Sequence, residues 1–267
     1  MTQVAFIGAG KMASAMVRGV LARRLYAPEQ IGCIAGADST GAELALATGI
    51  ANFAAPAPLL AGADIVVLAC KPQQLAALDA AYAALAAGKL VLSILAGTPL
   101  AKLAAKFPSA RNLVRAMPNT PGQISAGVTA WSARAPLAAA DRAAVENILG
   151  SLGLVLEVPE GDLDAVTAVS GSGPAYLFEF AAAFRAAAQA TGLPPATAEK
   201  LVLETIRGSA KLLEFTGEDP EKLRDAVTSP GGTTEAALKI FRAGNFRRIF
   251  QDAVAAAQRR SEELAKL

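Results

Sequence analysis

The sequence contains no histidine and only two cysteines. Because histidine is absent, Ser-His-Asp and Cys-His nucleophile systems, histidine general acids and histidine metal sites are all excluded. Cys33 and Cys70 are too few for a disulfide framework or for a structural zinc site. We therefore expect no metal centre, and any chemistry must depend on a cofactor, on lysine, tyrosine or carboxylate side chains, or on backbone dipoles.

Long apolar runs and a strong charge bias are missing as well. The apolar stretches are rich in alanine and interrupted, and none reaches the length of a membrane span. The formal net charge is +2, and no basic stripe with interleaved aromatic residues is present, so neither a membrane nor nucleic acid is an expected partner. The N-terminus has the pattern of a strand, without the charged region that leads a signal peptide. Together with the scarcity of cysteine, this favours a cytoplasmic location.

What the sequence does have is apolar residues, which make up 53% of its 267 residues and allow one large or two modest domains. In the first part, short apolar runs alternate with helical patterns. This alternation predicts an α/β fold, with an open parallel sheet covered by helices on both faces, as a dinucleotide-binding domain over residues 1–160. The predicted strands lie at 3–10, 30–36, 63–70, 89–97, 111–117, 127–133 and 153–159.

After Pro159 the strand patterns stop and only helical patterns follow. We expect an all-helical second domain over residues 161–267, with helices bounded by Gly192, Pro195, Pro220 and Gly232. Its helices carry apolar residues on more than one face, which is too much apolar surface for a domain of about a hundred residues to cover alone. This predicts a homodimer formed through the helical half.

The stretch "IGAGKMASA" holds Gly8, Gly10 and Ala13 at the junction of a predicted strand and a helix. In this context Gly8 allows a tight turn, Gly10 lets the backbone approach a pyrophosphate, and Ala13 allows close helix packing. The pattern predicts dinucleotide binding. The second strand ends in "IAGADST", with no acidic residue at its tip and no arginine for a 2′-phosphate, so the residues leave NAD and NADP open.

Other loops are expected at the same sheet edge, where ligands bind in such folds. Lys71 in "ACKPQQ" could meet a phosphate or ribose, or could be a solvated loop lysine, while Cys70 has the character of a small strand residue. The turns "SILAGTP", "RAMPNTPG" and "SGSGPAY" bring further small residues, and their convergence favours a cleft.

The stretch "TSPGGTTEAALKIF" at residues 228–241 places proline and two glycines directly before a helical pattern. Gly231 and Gly232 leave the backbone N–H groups of residues 231–234 uncovered, and the start of the helix adds a positive potential. The stretch is either an ordinary helix cap or a cradle for an anion.

The motifs "IGAGKM", "CKP", "RAMPNTP", "VSGSGPAY" and "SPGGTT", in this order and spacing, resemble the pyrroline-5-carboxylate reductases from Val4 to the last helix. The resemblance implies reduction of 1-pyrroline-5-carboxylate to L-proline by NAD(P)H, the last step of proline biosynthesis. It also implies a Rossmann domain, an all-helical dimerisation domain, and often rings of dimers. The sequence departs from the family where Ala35, Gly36 and Ala37 follow the second strand. We expect NADPH to be the preferred donor, with NADH possible.

Residue by residue, the resemblance and the motifs together give a predicted site. The backbone cradle is interpreted as the clamp of the substrate carboxylate, and Thr234 is expected to reach the ring nitrogen as well. Thr234 and Lys71 are the catalytic candidates. Glu160 is expected to contact substrate or to position the clamp across the dimer. The expected cofactor-binding residues are Ile7, Gly8, Ala9, Gly10, Lys11, Met12, Ala35, Ala69, Cys70, Lys71, Pro72, Ile94, Ala96 and Asn119. The expected substrate-binding residues are Glu160, Gly231, Gly232, Thr233 and Thr234.

Two alternatives differ in function. A reductase like the β-hydroxyacid dehydrogenases would need a lysine acid a few turns after a "GSG" helix start, but the next lysine after Gly173 is Lys200, beyond a predicted helix break. A non-catalytic regulatory protein that binds dinucleotide would bind the cofactor without turning over any imine.

Overall fold

The computed structural model describes residues 3–266, and its strands form one eight-stranded sheet in the order β3-β2-β1-β4-β5-β6-β7-β8. The strands are β1 Val4–Ile7, β2 Ile31–Ile34, β3 Ala51–Asn52, β4 Ile65–Leu68, β5 Leu90–Ser93, β6 Asn112–Met117, β7 Gly127–Ala133 and β8 Gly153–Glu157. The chain leaves β1 towards β2 on one side and returns to add β4 on the other. The crevice between β1 and β4 is therefore the topological switch point, where ligands bind in sheets of this kind.

The last two strands, β7 and β8, run against the predicted parallel direction. β7 pairs antiparallel with β6, while β8 is parallel to β7. The connection between β6 and β7 spans only residues 118–126, whereas a parallel crossover needs about a dozen residues or more. The other neighbours pair in parallel, which confirms the α/β class.

Helices connect the strands and then form the C-terminal part alone. They are α1 Lys11–Ala22, α2 Thr40–Thr48, α3 Pro56–Leu60, α4 Gln74–Ala77, α5 Ala80–Leu85, α6 Leu100–Lys106, α7 Ala139–Gly150, α8 Leu163–Val166, α9 Gly173–Ala190, α10 Pro195–Thr216, α11 Pro220–Ala226, α12 Thr233–Ala243 and α13 Phe246–Lys266. The pattern over residues 73–85 predicts one helix, but two form. Asp79 interrupts it, because its carboxylate accepts a hydrogen bond from the N–H of Ala81 at 2.8 Å and caps α5.

The central strands are buried on both faces, which explains their unbroken apolar sequence. In β1, Val4 and Phe6 belong to one hydrophobic cluster, with Met16 of α1 and Trp131 of β7. Ala5 and Ile7, the alternating residues of the same strand, belong to the other cluster. The strand end at Ile7 is thereby fixed from both sides.

The chain forms two compact units. The first contains the sheet and extends to Ser172, and it also includes the chain from Ala257 onwards. The second is the helical unit Gly173–Ala256. The predicted domains, 1–160 and 161–267, stay a prediction.

The helical unit buries little of its apolar surface within one chain. Its only buried residues are Pro174, Ala198 and Val202. The large apolar side chains that it exposes include Leu177, Phe178, Phe180, Phe184, Leu193, Leu201, Leu203, Leu212, Leu213, Phe215, Val227, Ile240, Phe241, Phe246, Ile249 and Phe250. Across residues 3–266, no helix combines the length and the apolar character that crossing a membrane would take.

Candidate active site

The glycine turn after β1 brings two strand ends into direct contact. Gly8 has φ +106°, and a Cβ there would lie 2.4 Å from the carbonyl oxygen of Ala69, at the end of β4. The N–H of Gly8 donates to the carbonyl of Ile34, at the end of β2, at 2.8 Å. Only glycine fits this position, because the backbone conformation is left-handed and the space is filled by backbone. The turn therefore lies at the switch point of the sheet.

Gly10 has the opposite surroundings. It is the N-cap of α1, and apart from its chain neighbours no heavy atom among the described residues lies within 4 Å of a Cβ built on it. No side chain in the described part of the chain caps this helix, while Ala13 in its first turn is buried against the core. The N-terminal N–H groups of a twelve-residue helix thus face open space beside a side-chain-free backbone. This arrangement fits a pyrophosphate, which the helix dipole and the N–H groups would both stabilise.

The loop after β2 carries an acidic side chain that is already engaged. Asp38 accepts hydrogen bonds from the hydroxyl and the N–H of Thr40, at 2.5 and 3.1 Å. These bonds lower the pKa of the exposed Asp38 carboxyl, and the positive charge of Lys71 acts in the same direction. Lys71, from the loop after β4, therefore lies within electrostatic reach of the segment that follows Ala35, where a ribose discriminator is expected.

The loop after β4 also holds Cys70, which is half-buried. Burial raises the pKa of its thiol above the ordinary value, so the thiol is protonated at neutral pH. Its interpretation as a small strand residue was wrong, because β4 ends at Leu68 and Cys70 lies in the loop that follows. The N–H of Lys71 donates to the side chain of Gln74 at 2.9 Å, and the Lys71 side chain is exposed.

The next two strands end at the same edge. In the loop after β5, Ile94 is half-buried, Ala96 is exposed, and Gly97 has φ +62°. In the loop after β6, the side-chain oxygen of Asn119 accepts a hydrogen bond from the N–H of Val128 at 2.9 Å. Asn119, which the resemblance gives as a cofactor residue, thus anchors the turn into β7 through its side chain.

A buried charged cluster underlies this edge, and the sequence reasoning did not identify it. Arg115, in β6, is only 5% exposed, and its guanidinium contacts Asp164 at 3.0 Å and Glu160 at 3.7 Å. Glu160 also accepts a hydrogen bond from the N–H of Leu100 at 2.6 Å. A signal was present in the sequence, because an arginine in an otherwise apolar strand must find partners inside the fold.

The predicted carboxylate cradle lies in the helical unit, at the turn before α12. Gly231 has φ +72°, and Gly232 is the N-cap of the helix, which no side chain within residues 3–266 caps. The N–H of Gly231 donates to Glu235 at 2.8 Å, and the N–H of Gly232 donates to the carbonyl of Ser229 at 3.0 Å. Two of the four N–H groups in the predicted cradle are therefore engaged within the chain. The cradle that remains consists of the first turn of α12, with Thr233 exposed and Thr234 half-buried.

Within the described range, no three or more side chains of cysteine, aspartate or glutamate are grouped in a way that could hold a metal ion. The residues that the structure brings together are suited to binding a dinucleotide at the sheet edge of the first unit and an anion at the start of α12 in the second.

Comparison with known proteins matches both parts of the chain. A family model described as pyrroline-5-carboxylate reductase dimerisation matches residues 160–264, and one described as NADP oxidoreductase coenzyme F420-dependent matches residues 3–97. Pyrroline-5-carboxylate reductase from Synechocystis sp. is 40% identical, over 99% of this chain and 98% of its own length.

Solved structures agree with the sequence relatives. A pyrroline-5-carboxylate reductase from Coxiella burnetii has a TM-score of 0.90 and 34% identity, covering 100% of this chain and 99% of that one. The Plasmodium falciparum pyrroline carboxylate reductase with NADP bound has a TM-score of 0.90 and 28% identity, covering 99% of this chain and 98% of that one. Since similarity at this level extends along the whole chain, the protein belongs to the pyrroline-5-carboxylate reductase family.

Proposed function

We propose that the protein reduces 1-pyrroline-5-carboxylate to L-proline with hydride from NAD(P)H, the last step of proline biosynthesis. The observation that carries this proposal is the similarity to pyrroline-5-carboxylate reductases over 99% of the chain, which includes both the dinucleotide turn and the helical unit.

The chemistry agrees with the amino acids that are present. The substrate is a cyclic imine that bears a carboxylate, and bound NAD(P)H supplies the hydride that the imine carbon accepts. If the imine enters protonated, no negative charge develops on the ring nitrogen, and a strong general acid is not required. A protein without histidine can support this reaction. Its residues must instead hold the two reactants in the correct orientation.

The residues of the first unit fit the cofactor. We propose that the open backbone at Gly10 and the first turn of α1, including Lys11 and Met12, hold the pyrophosphate, as the helix start favours. For the donor we propose NADPH in preference to NADH. This is supported by Lys71, whose positive charge acts on the loop after β2, where the 2′-phosphate is expected. Lys71 is thus a cofactor residue in this proposal, and its catalytic role consists of orienting the donor.

The start of α12 fits the substrate carboxylate. An anion at this position would meet the unpaired end of an eleven-residue helix, where the dipole contributes about 0.3–1 kcal/mol at an exposed site. We propose that Thr233 and Thr234 donate to the carboxylate, and that the Thr234 hydroxyl also lies close to the ring nitrogen. Gly231 and Gly232 shape the turn, since neither can cover the helix start with a side chain.

We propose a homodimer formed through the helical unit, and a ring of such dimers as the larger assembly. The unit buries only three residues within one chain and exposes aromatic and aliphatic side chains on α9, α10, α12 and α13. Apolar surface of this extent marks an interaction surface. The cytoplasm is the proposed location, because Cys33 and Cys70 are both free thiols, as expected in a reducing compartment.

Neither alternative function has comparable support. A dehydrogenase of the β-hydroxyacid type needs a lysine on the helix that follows the "GSG" start, but Lys200 lies on α10, while that helix, α9, ends at Ala190. A regulatory protein with this fold would bind the dinucleotide without turning over a substrate, and no observation favours that role.

The direct test is the oxidation of NADPH and NADH by the purified protein, followed at 340 nm, with and without 1-pyrroline-5-carboxylate. We expect oxidation only when the imine is present, and a higher kcat/KM with NADPH. Turnover of 3-hydroxy acids without imine turnover would transfer the assignment to the dehydrogenase class. Tight cofactor binding without turnover of either would favour the regulatory role.

A further inference from the structure

Arg115 carries a charge into the interior of the first unit. It lies in β6, between Ser93 of β5 and Ser132 of β7, and its side chain is 6% exposed. A buried guanidinium is costly unless its N–H groups are paired. Its partners are the carboxylates of Glu160 and Asp164, both from the segment that follows β8. The cluster therefore joins a central strand to the short helical turns after the sheet.

One arm of this cluster reaches the cofactor edge. Glu160 accepts a hydrogen bond at 2.6 Å from the N–H of Leu100, the first residue of α6. The two residues are sixty positions apart, so the bond is a tertiary contact that caps α6 from outside. The segment immediately before α6 is the loop 94–99, which contains the predicted cofactor residues Ile94 and Ala96. The position of this loop is thus tied to the Glu160 carboxylate.

The other arm reaches the C-terminal end of α13. The hydroxyl of Ser261, which is 4% exposed, donates to Asp164 at 2.8 Å. One turn further along α13, Leu264 lies against the same loop, since a Cβ on Gly97 would be 3.1 Å from the Cβ of Leu264. The C-terminal end of α13 therefore touches the loop 94–99 directly and also holds the cluster beneath it.

We propose that a polar tie positions the loop 94–99 for the nicotinamide cofactor, and that it consists of Glu160, Arg115, Asp164 and Ser261. The C-terminal end of α13, from Ala257, thereby contributes to the cofactor site. This proposal rests on the proposed function, because it assigns the loop to NAD(P)H. It gives Glu160 a positioning role in the cofactor half, in place of the substrate contact that the resemblance implies. All its contacts lie within the first unit.

The test compares NADPH affinity with proline affinity in purified full-length variants. Glu160→Gln removes the charge that faces Arg115 and weakens the acceptor for Leu100, while Ser261→Ala removes the donor to Asp164. The matched controls are Glu157→Gln, which breaks the exposed pair with Arg142, and Thr216→Ala, which removes an exposed helix hydroxyl. NADPH Kd is measured by the change in its fluorescence without substrate, and the proline Kd by calorimetry.

We expect Glu160→Gln and Ser261→Ala each to raise the NADPH Kd about three- to tenfold, a fraction of the effect of losing a direct charged contact. The proline Kd and the control variants should change less than about twofold. Because both residues act through one tie, the NADPH Kd of the double variant should rise by less than the product of the two single increases.

Weaker proline binding with unchanged NADPH affinity in Glu160→Gln would overturn the proposal and restore Glu160 as a substrate contact. A lowered melting temperature with both affinities unchanged would also overturn it, because the tie would then be structural only. The assignment of function is tested separately by wild-type turnover. NADPH binding does not require the imine, so the two hypotheses can fail independently.

Discussion

A Cβ on Gly8 would lie 2.4 Å from the carbonyl oxygen of Ala69, although 61 residues separate the two along the chain. The turn after β1 therefore packs closely against the end of β4, where the order of strands reverses. Around Gly10, two residues further on, no atom of residues 3–266 other than those of its chain neighbours lies within 4 Å of a Cβ placed in the same way. The two glycines of one motif therefore differ in their surroundings: Gly8 is required for packing within the fold, and Gly10 leaves the space that the proposed cofactor site needs.

Gly8→Ala should destabilise the protein. The new methyl group would meet backbone atoms that cannot rotate away, and alanine is strained at φ +106°. Strain and overpacking each cost about 1–3 kcal/mol. Urea unfolding should therefore show a lower midpoint without ligand. An unchanged midpoint would mean that the contact between the strand ends relaxes easily.

Gly10→Val should change the stability of the protein little and its NADPH affinity strongly. The site has room for a side chain, so the free energy of unfolding should fall by no more than about 1 kcal/mol, as for a poorer N-cap residue. NADPH affinity should fall at least tenfold, because the branched side chain covers the N–H groups of α1. Fluorescence titration with NADPH measures the affinity, and Gly208→Val is the control, since Gly208 is also open but lies in α10. Unchanged NADPH affinity would show that the turn is structural only.

The sequence predicted the helices and strands of this fold better than it predicted how they pair and which side chains contact one another. Unbroken apolar runs such as "IVVL" identified buried strands, and Pro220 correctly marked the start of α11. The reversed direction of β7 and β8 was missed, because it depends on the length of the connection between β6 and β7 rather than on residue pattern. The partners of Glu160 were missed for a related reason, since Leu100 is sixty residues away and no local rule links them.

Lys71→Ala should lower the preference for NADPH over NADH. The side chain is exposed, and its positive charge acts on the loop that follows β2. Losing a charged contact to the 2′-phosphate should reduce kcat/KM for NADPH about tenfold or more, with less effect on NADH. The difference should shrink at high salt, because exposed charges are screened.

Lys102→Ala removes an exposed lysine of α6 and serves as the control for charge. If Lys71→Ala reduces kcat/KM equally with both donors, Lys71 does not discriminate between them. In that case Lys71 would act on a part of the dinucleotide that NADPH and NADH share.

Cys70 should react slowly with thiol reagents at neutral pH. Burial raises the pKa of its thiol, and the thiolate is the reactive form. The labelling rate by maleimide should therefore increase with pH beyond the range of an ordinary cysteine, whose pKa is about 8.5. NADPH should slow the labelling, since Cys70 follows β4 at the proposed cofactor edge. Cys70→Ser, which leaves only the buried Cys33, is the control for the labelled position. Rapid labelling at pH 7 that NADPH does not affect would contradict both points.

Thr234→Ala tests the start of α12 as the substrate clamp. If its hydroxyl donates to the carboxylate, proline affinity should fall about ten- to hundredfold, which corresponds to about 1.5–3 kcal/mol for a hydrogen bond to a charged group. NADPH affinity should remain unchanged. Gly232, rather than a threonine, is the N-cap of this helix, so the melting temperature should change little. Thr228→Ala is the matched control, because the Thr228 hydroxyl donates to the carbonyl of Arg224 at 2.6 Å in the same connection.

A helix cap would behave differently, since its loss costs about 1 kcal/mol of stability and little affinity. A lowered melting temperature with unchanged proline affinity would therefore locate the carboxylate site elsewhere.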